Sequence, residues 1–132
     1  MTVASATDML AAALAYLLIK HTVADFFLQT AFQWQNKGDY GHPGGLVHVL
    51  IHAALTLPVF AILRPPTLLA AALILLGEAL VHYHIDWLKD RVVKRRHWTA
   101  ANDSYWRALG FDQLLHGLTY IAIVWLLGRG AF

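Results

Sequence analysis

The chain has 132 residues, of which 58% are hydrophobic and 14% charged, with a formal net charge of +2. A soluble domain carries about 25% charged residues, so this balance excludes an ordinary water-facing globule. The absence of cysteine removes disulfides, thiolate metal sites and cysteine nucleophiles from consideration.

Met1 to Asp8 holds no Lys or Arg, and the first apolar stretch contains His21 and Asp25. The segment therefore reads as a retained span and not as a signal peptide. Crossing ~30 Å of hydrocarbon takes roughly 20 mostly apolar residues. Four stretches qualify, at 9–32, 46–63, 67–88 and 111–127. Between the first two lies a turn-rich connection, Lys37 to Gly45, with four glycines and a proline. Arg64-Pro65-Pro66 separates the second from the third, because proline lacks the donor that a helix interior needs. A basic hydrophilic loop, 89–107, precedes the fourth, which Asn102, Asp103 or Ser104 can cap. The expected fold is an all-α integral membrane protein, a single four-helix transmembrane domain over 1–132.

Lys and Arg are retained on the cytoplasmic side of a membrane. The first and third connections share Lys37, Lys89, Arg91, Lys94, Arg95, Arg96 and Arg107, against Arg64 and Arg129 on the other side. This asymmetry places the basic loop in the cytoplasm and both termini outside. Trp34, Trp98, Tyr105 and Trp106 fall where an interfacial aromatic belt belongs. Lys89, Arg91, Lys94, Arg95 and Arg96 would also attract anionic headgroups of membrane lipids. No aromatic or glycine motif accompanies them to suggest nucleic acid.

Ionisable side chains within a span are costly and point to function. Each span here holds a pair: His21 and Asp25, His48 and His52, His82 and Asp86, Asp112 and His116. Every pair has i,i+4 spacing, which puts both side chains on one helix face. Given the alternating direction of the spans, all four pairs fall at matched depth toward the cytoplasmic side. Facing helices of a bundle can build a metal site from such inward ligands. Imidazole and carboxylate suit zinc, iron or manganese, and zinc is the favoured expectation. Eight ligands exceed the needs of one zinc ion, so one or two divalent ions are expected. Asp25, Asp86 and Asp112, with Glu78 one turn deeper, are the candidate catalytic carboxylates. Lys20 can neutralise one of them instead. Thr56 and Tyr120 extend the same faces, and Gln29 and Gln113 are candidate donors that orient ligands. Gly77, Gly110 and Gly117 permit close helix contact. His42, His84 and His97 fall outside the constellation.

The segments HTVADFFLQ (His21 to Gln29), HVLIH (His48 to His52), HYHIDWLK (His82 to Lys89) and FDQLLH (Phe111 to His116) resemble a bacterial inner-membrane family catalogued as domain of unknown function 3307. The resemblance implies a small integral protein of the bacterial plasma membrane, and it carries no assigned activity. From spacing and depth, the expected function is a metal-dependent hydrolase acting on a lipid or other amphipathic substrate. The rival expectations are a di-iron-type oxidase or hydroxylase, a metal transport or sensing protein, and a structural membrane subunit.

Overall fold

The computed structural model describes residues 3–130. Met1 and Thr2, which open the stretch free of Lys and Arg, lie outside the described residues. Four helices long and apolar enough to cross a membrane occupy Ser5–Leu28, Pro43–Ile62, Leu68–Arg96 and Asp103–Gly128. The described residues contain no strand. The first span is α1 (Val3–Val23) continued by a π-helical turn, Ala24–Leu28. The short α2 (Ala31–Trp34) follows. The second span is α3 (Pro43–Thr56) plus α4 (Val59–Ile62), and the third and fourth are α5 (Leu68–Arg95) and α6 (Asp103–Gly128).

The helices form a ring in which α1 touches α3 and α6, and α5 touches α3 and α6. Leu50, Leu68, Leu69, Phe27 and Phe111 point outward and are mostly exposed. Such an apolar exterior is what hydrocarbon requires and water does not tolerate. Inside, the bundle is divided along its axis. Ala13, Leu17, Val59, Leu63, Ile74, Ile123, Val124 and Leu127 form a dry cluster toward one end. The buried ions and imidazoles fill the other half.

Several boundaries differ from the sequence reading, each for a physical reason. Helix α5 continues two turns past the apolar stretch, to Arg95, and α6 begins at Asp103. Hydropathy records where hydrocarbon ends, not where the backbone stops being helical. The helix ends where His97 takes a positive φ of 53°, so the 89–107 segment is mostly helix. The second span is interrupted at Leu57-Pro58, where proline removes a backbone donor. The Tyr16 hydroxyl donates to the Leu55 carbonyl there at 2.9 Å. Such substitutes make proline tolerable inside a membrane. Gly77, Gly110 and Gly117 have no neighbouring atom beside them and serve no helix contact within the chain.

The connection after the first span is ordered and packs into the end of the bundle. Thr30 and Gln33 form a capping box over α2: the Gln33 side chain accepts from the Thr30 amide at 2.8 Å. His42 caps α3 by accepting from the Gly44 amide at 3.0 Å, with Pro43 at the first helical position. Gly44 leaves no room for a side chain, since a Cβ would stand 2.4 Å from the Phe32 carbonyl oxygen. Together these devices carry Lys37 back into the bundle.

Candidate metal centre

The polar half of the bundle is built in layers, the first two drawing one residue from each of the four spans. Helical spacing of four residues places successive layers about one turn apart. Nearest the connecting loops are Asp25, His48, Asp86 and Asp112. Below them His21, His52, His82 and His116 close a ring of four imidazoles. Their neighbouring centroids are 5.2 Å (His21–His52), 3.9 Å (His52–His82), 4.2 Å (His82–His116) and 4.6 Å (His116–His21) apart. Below the ring lie Thr56, Glu78 and Tyr120, and then the dry cluster begins. All eight residues singled out as ligand candidates from the sequence therefore meet in one place. The seven other than Asp25 are at most 4% exposed, and the Asp25 side chain is 8% exposed.

Three groups within this cluster have ligand atoms mutually within 4.8 Å: Asp25, His48, His52 and His82; His21, His82 and His116; and Asp86, Asp112 and His116. Individual separations are short. His48 Nε2 lies 3.2 Å from Asp25 Oδ1 and 3.1 Å from Asp86 Oδ2. His52 Nε2 lies 3.2 Å from Asp25 Oδ1, and His21 Nε2 lies 3.3 Å from Asp25 Oδ2. His116 Nε2 is 3.5 Å from Asp86 Oδ1 and 3.6 Å from Asp112 Oδ1. His82 Nε2 and His48 Nε2 face each other at 3.3 Å. Ligands about a common ion with bonds of ~2.0–2.2 Å stand roughly 3.0–3.5 Å apart. Several pairs thus have the spacing of neighbouring ligands, within groups whose atoms all lie within 4.8 Å of one another.

Hydrogen bonds account for part of the cluster, joining His52 to Asp25, His82 to His48 and Lys37 to Asp86. His21 Nε2, His116 Nε2, Asp86 Oδ1 and Asp112 Oδ1 are buried without a hydrogen-bond partner. Buried polar atoms are ordinarily hydrogen-bonded, whereas His21 Nε2 stands 3.3 Å from Asp25 Oδ2, and His116 Nε2 stands 3.5 and 3.6 Å from Asp86 Oδ1 and Asp112 Oδ1, as ion-pair contacts only. Nitrogen and oxygen donors without thiolate fit zinc, iron or manganese.

Neighbouring side chains fix the orientation of the cluster. The Tyr120 hydroxyl lies 3.0 Å from His21 Nδ1, which leaves His21 Nε2 facing inward. Gln29 is 3.0 Å from His48 Nδ1. Gln113 Nε2 donates to Asp112 Oδ2 at 3.1 Å and to Asp25 Oδ2 at 3.4 Å, tying two carboxylates together. Such supporting hydrogen bonds set ligand direction and basicity.

Two lysines complete the electrostatics. Lys20 is 4% exposed and its Nζ lies 2.6 Å from Glu78 Oε1, which also accepts from Thr56 Oγ1 at 2.9 Å. Lys20 also donates to the His52 carbonyl at 3.1 Å. Glu78 therefore belongs to an ion pair beneath the histidine ring. Lys37, read from the sequence only as a charge that sets orientation, is 6% exposed, with its Nζ 3.2 Å from Asp86 Oδ2. Its position in a glycine-rich connection gave no sign of this; the nearest signal was the Thr30/Gln33 capping box. With the imidazoles neutral, two ammonium groups against the four carboxylates Asp25, Glu78, Asp86 and Asp112 leave two negative charges among these groups. Uncompensated buried charge is very costly, and one divalent cation would cancel it.

His84 lies outside the cluster, 2.7 Å from the Leu80 carbonyl, and His42 is occupied as a helix cap. Of the five basic residues expected to meet headgroups, Lys89 and Lys94 line a cavity of about 490 Å³ that opens beside Asp25 and Asp112. Arg91 stacks on Trp87 at 5.4 Å.

Fold and site together define a polytopic helical membrane protein with a buried His/Asp core able to bind metal. The chain belongs to the family described as "protein of unknown function (DUF3307)", whose model matches residues 13–130. No curated protein and no solved structure matches it.

Proposed function

We propose that the protein is a membrane-embedded, metal-dependent hydrolase that cleaves an ester or phosphoester bond of an amphipathic substrate. The observation that carries this reading is the cluster of buried His and Asp side chains whose ligand atoms lie within 4.8 Å of one another in three groups, with Asp25 and Asp112 beside an open cavity. The donors divide into one set of Asp25, His48, His52 and His82 and a second of Asp86, Asp112 and His116, with His21 adjoining both. That division supports two ions, with zinc favoured. Bound ions would polarise the scissile group and lower the pKa of a water toward ~7.

The chain's own residues do the rest. Asp25 and Asp112 border the cavity and are the carboxylates placed to accept a proton from an attacking water. Asp86 is enclosed and held by Lys37, which suits a ligand shared between the two sets. Glu78 is already paired with Lys20, so it stabilises the floor of the site. A carrier would need a polar route to both faces, and the dry cluster from Ala13 to Leu127 argues against one. In this reading the basic end faces the cytoplasm of a bacterial cell, both termini lie outside, and substrate enters from that leaflet.

The test is hydrolysis in heavy-oxygen water. Purified protein, supplied with zinc or manganese, is incubated with phospholipid vesicles containing phosphatidic acid and phosphatidylglycerol. Mass spectrometry should find heavy oxygen in a released product, with release lost on chelation and in His48→Ala/His52→Ala. Metal-loaded, folded protein that releases nothing from either lipid would overturn the hydrolase reading for these substrates.

A further inference from the structure

Two cavities meet at the seam between α5 and α6. The first is the polar one of about 490 Å³, bounded by Asp25, Gln29, Lys37, Lys89, Lys94 and Asp112 among others. The second is an apolar groove of about 580 Å³ on the outer surface, with walls that include Leu80, Leu88, Val92, Ala108 and Phe111. Lys89 and Asp112 border both. Along α5 the groove runs from Leu80 to Val92, roughly 18 Å at 1.5 Å per residue, so it follows the direction of a lipid chain. A single ligand can thus lie with its tail in the groove and its head in the cavity, and the crossing point is at a candidate metal ligand.

The lining favours an anionic head. Three ammonium groups reach the polar cavity, from Lys37, Lys89 and Lys94, against Asp25, Asp90 and Asp112. Once Asp25 and Asp112 are engaged by divalent ions, the lining is left with an excess of positive charge. Each lysine is held ready by a neighbour: Lys37 by Asp86 at 3.2 Å, Lys89 by Asp90 at 2.9 Å, and Lys94 by the Gln35 carbonyl at 2.7 Å. Trp34 and Tyr105 complete the walls, a pair suited to the headgroup level of a bilayer. Phosphate, with several acceptor oxygens and up to two charges, can engage clustered ammonium groups and metal ions together.

We propose that the substrate class is a lipid phosphate, bound with its phosphate among Lys37, Lys89 and Lys94 and one hydrocarbon chain in the α5–α6 groove. This rests on the hydrolase reading of the same site, and it adds a headgroup chemistry and a tail position that the metal cluster alone does not specify. It also narrows the basic surface: Lys89 and Lys94 select the ligand, whereas Arg95 and Arg96 lie outside both cavities.

The experiment is native mass spectrometry of the detergent-solubilised, metal-supplemented protein with dioleoyl phosphatidic acid, dioleoyl phosphatidylcholine and inorganic phosphate as probes. Metal content is read from the same spectra. Phosphatidic acid should bind one per chain and outcompete phosphatidylcholine. Lys89→Gln should weaken it about tenfold, the loss of one charge-assisted contact. Ala108→Phe, which fills the groove from a partly exposed position, should weaken phosphatidic acid by a similar factor and leave inorganic phosphate unaffected. Equal binding of phosphatidic acid and phosphatidylcholine would overturn the headgroup assignment. Full-strength binding in a folded Ala108→Phe variant would overturn the tail assignment, and inorganic phosphate competing as well as the lipid would do the same. Loss of lipid selectivity with metal still bound refutes the substrate class alone, whereas a folded protein that takes up no metal refutes the reading beneath it.

Discussion

Glu78 and Lys20 illustrate how much a single buried charge depends on its partner. With side chains 1% and 2% exposed, neither has access to water. Breaking a buried pair by removing one member costs about 3–5 kcal/mol. Lys20→Met should therefore lower the thermal midpoint sharply in detergent, and Lys20→Met/Glu78→Gln should recover most of the loss. A single variant as stable as the parent would show that Glu78 is held otherwise. Gln113 tests the orientation of the ligands, because it alone bridges Asp25 and Asp112 among the hydrogen bonds of the cluster. Its loss in Gln113→Ala should weaken metal binding about 10–100-fold, measured by competition with a chelator. The eight clustered His and Asp residues were legible in the sequence because i,i+4 spacing survives in any helix that contains them. Lys37 was not legible, since the path that brings it to Asp86 depends on a capping box and a close glycine contact rather than on periodicity.

At the level of elements, the connection from Gln29 to His42 packs against the polar end of the bundle and forms one wall of its cavity. Gly44 is its tightest point, and Gly44→Ala would push a methyl group against the Phe32 carbonyl. Overpacking of this kind costs about 1–3 kcal/mol. The variant should melt earlier and expose Lys37 to amine-reactive reagents that do not reach it in the parent. Gly77→Ala, on an open helix surface, should be neutral or stabilising by up to about 1 kcal/mol. Equal behaviour of the two variants would contradict the packing described. Four spans and their approximate centres were readable from hydropathy, while their ends were not. Nothing in an apolar average records that α5 continues as a polar helix to Arg95. Nor does it record that the first span finishes in a π-helical turn carrying Asp25. Such turns concentrate at functional sites, and here the extra residue sits where the first ligand pair meets the loop layer.

For the whole molecule, the division of the interior into a dry half and a polar half is the feature from which function follows. The dry cluster seals one end, and the open cavity beside Asp25 and Asp112 gives the other its access. In the orientation proposed above, that open end faces the cytoplasm. Because the chain has no cysteine, single-cysteine variants report this directly. Asp39→Cys should react with an impermeant maleimide only after cells are opened, and Arg64→Cys in intact spheroplasts; the reverse pattern would invert the topology. The central claim is that the His/Asp core holds metal. It is tested most directly by elemental analysis of the detergent-purified protein beside His48→Ala/His52→Ala, without added ions. Zinc, iron or manganese should be present at about one or two per chain and be lost in the double variant. A well-folded parent protein that contains no metal, and takes up none on reconstitution, would contradict that claim and leave the core as a polar network that holds four helices together.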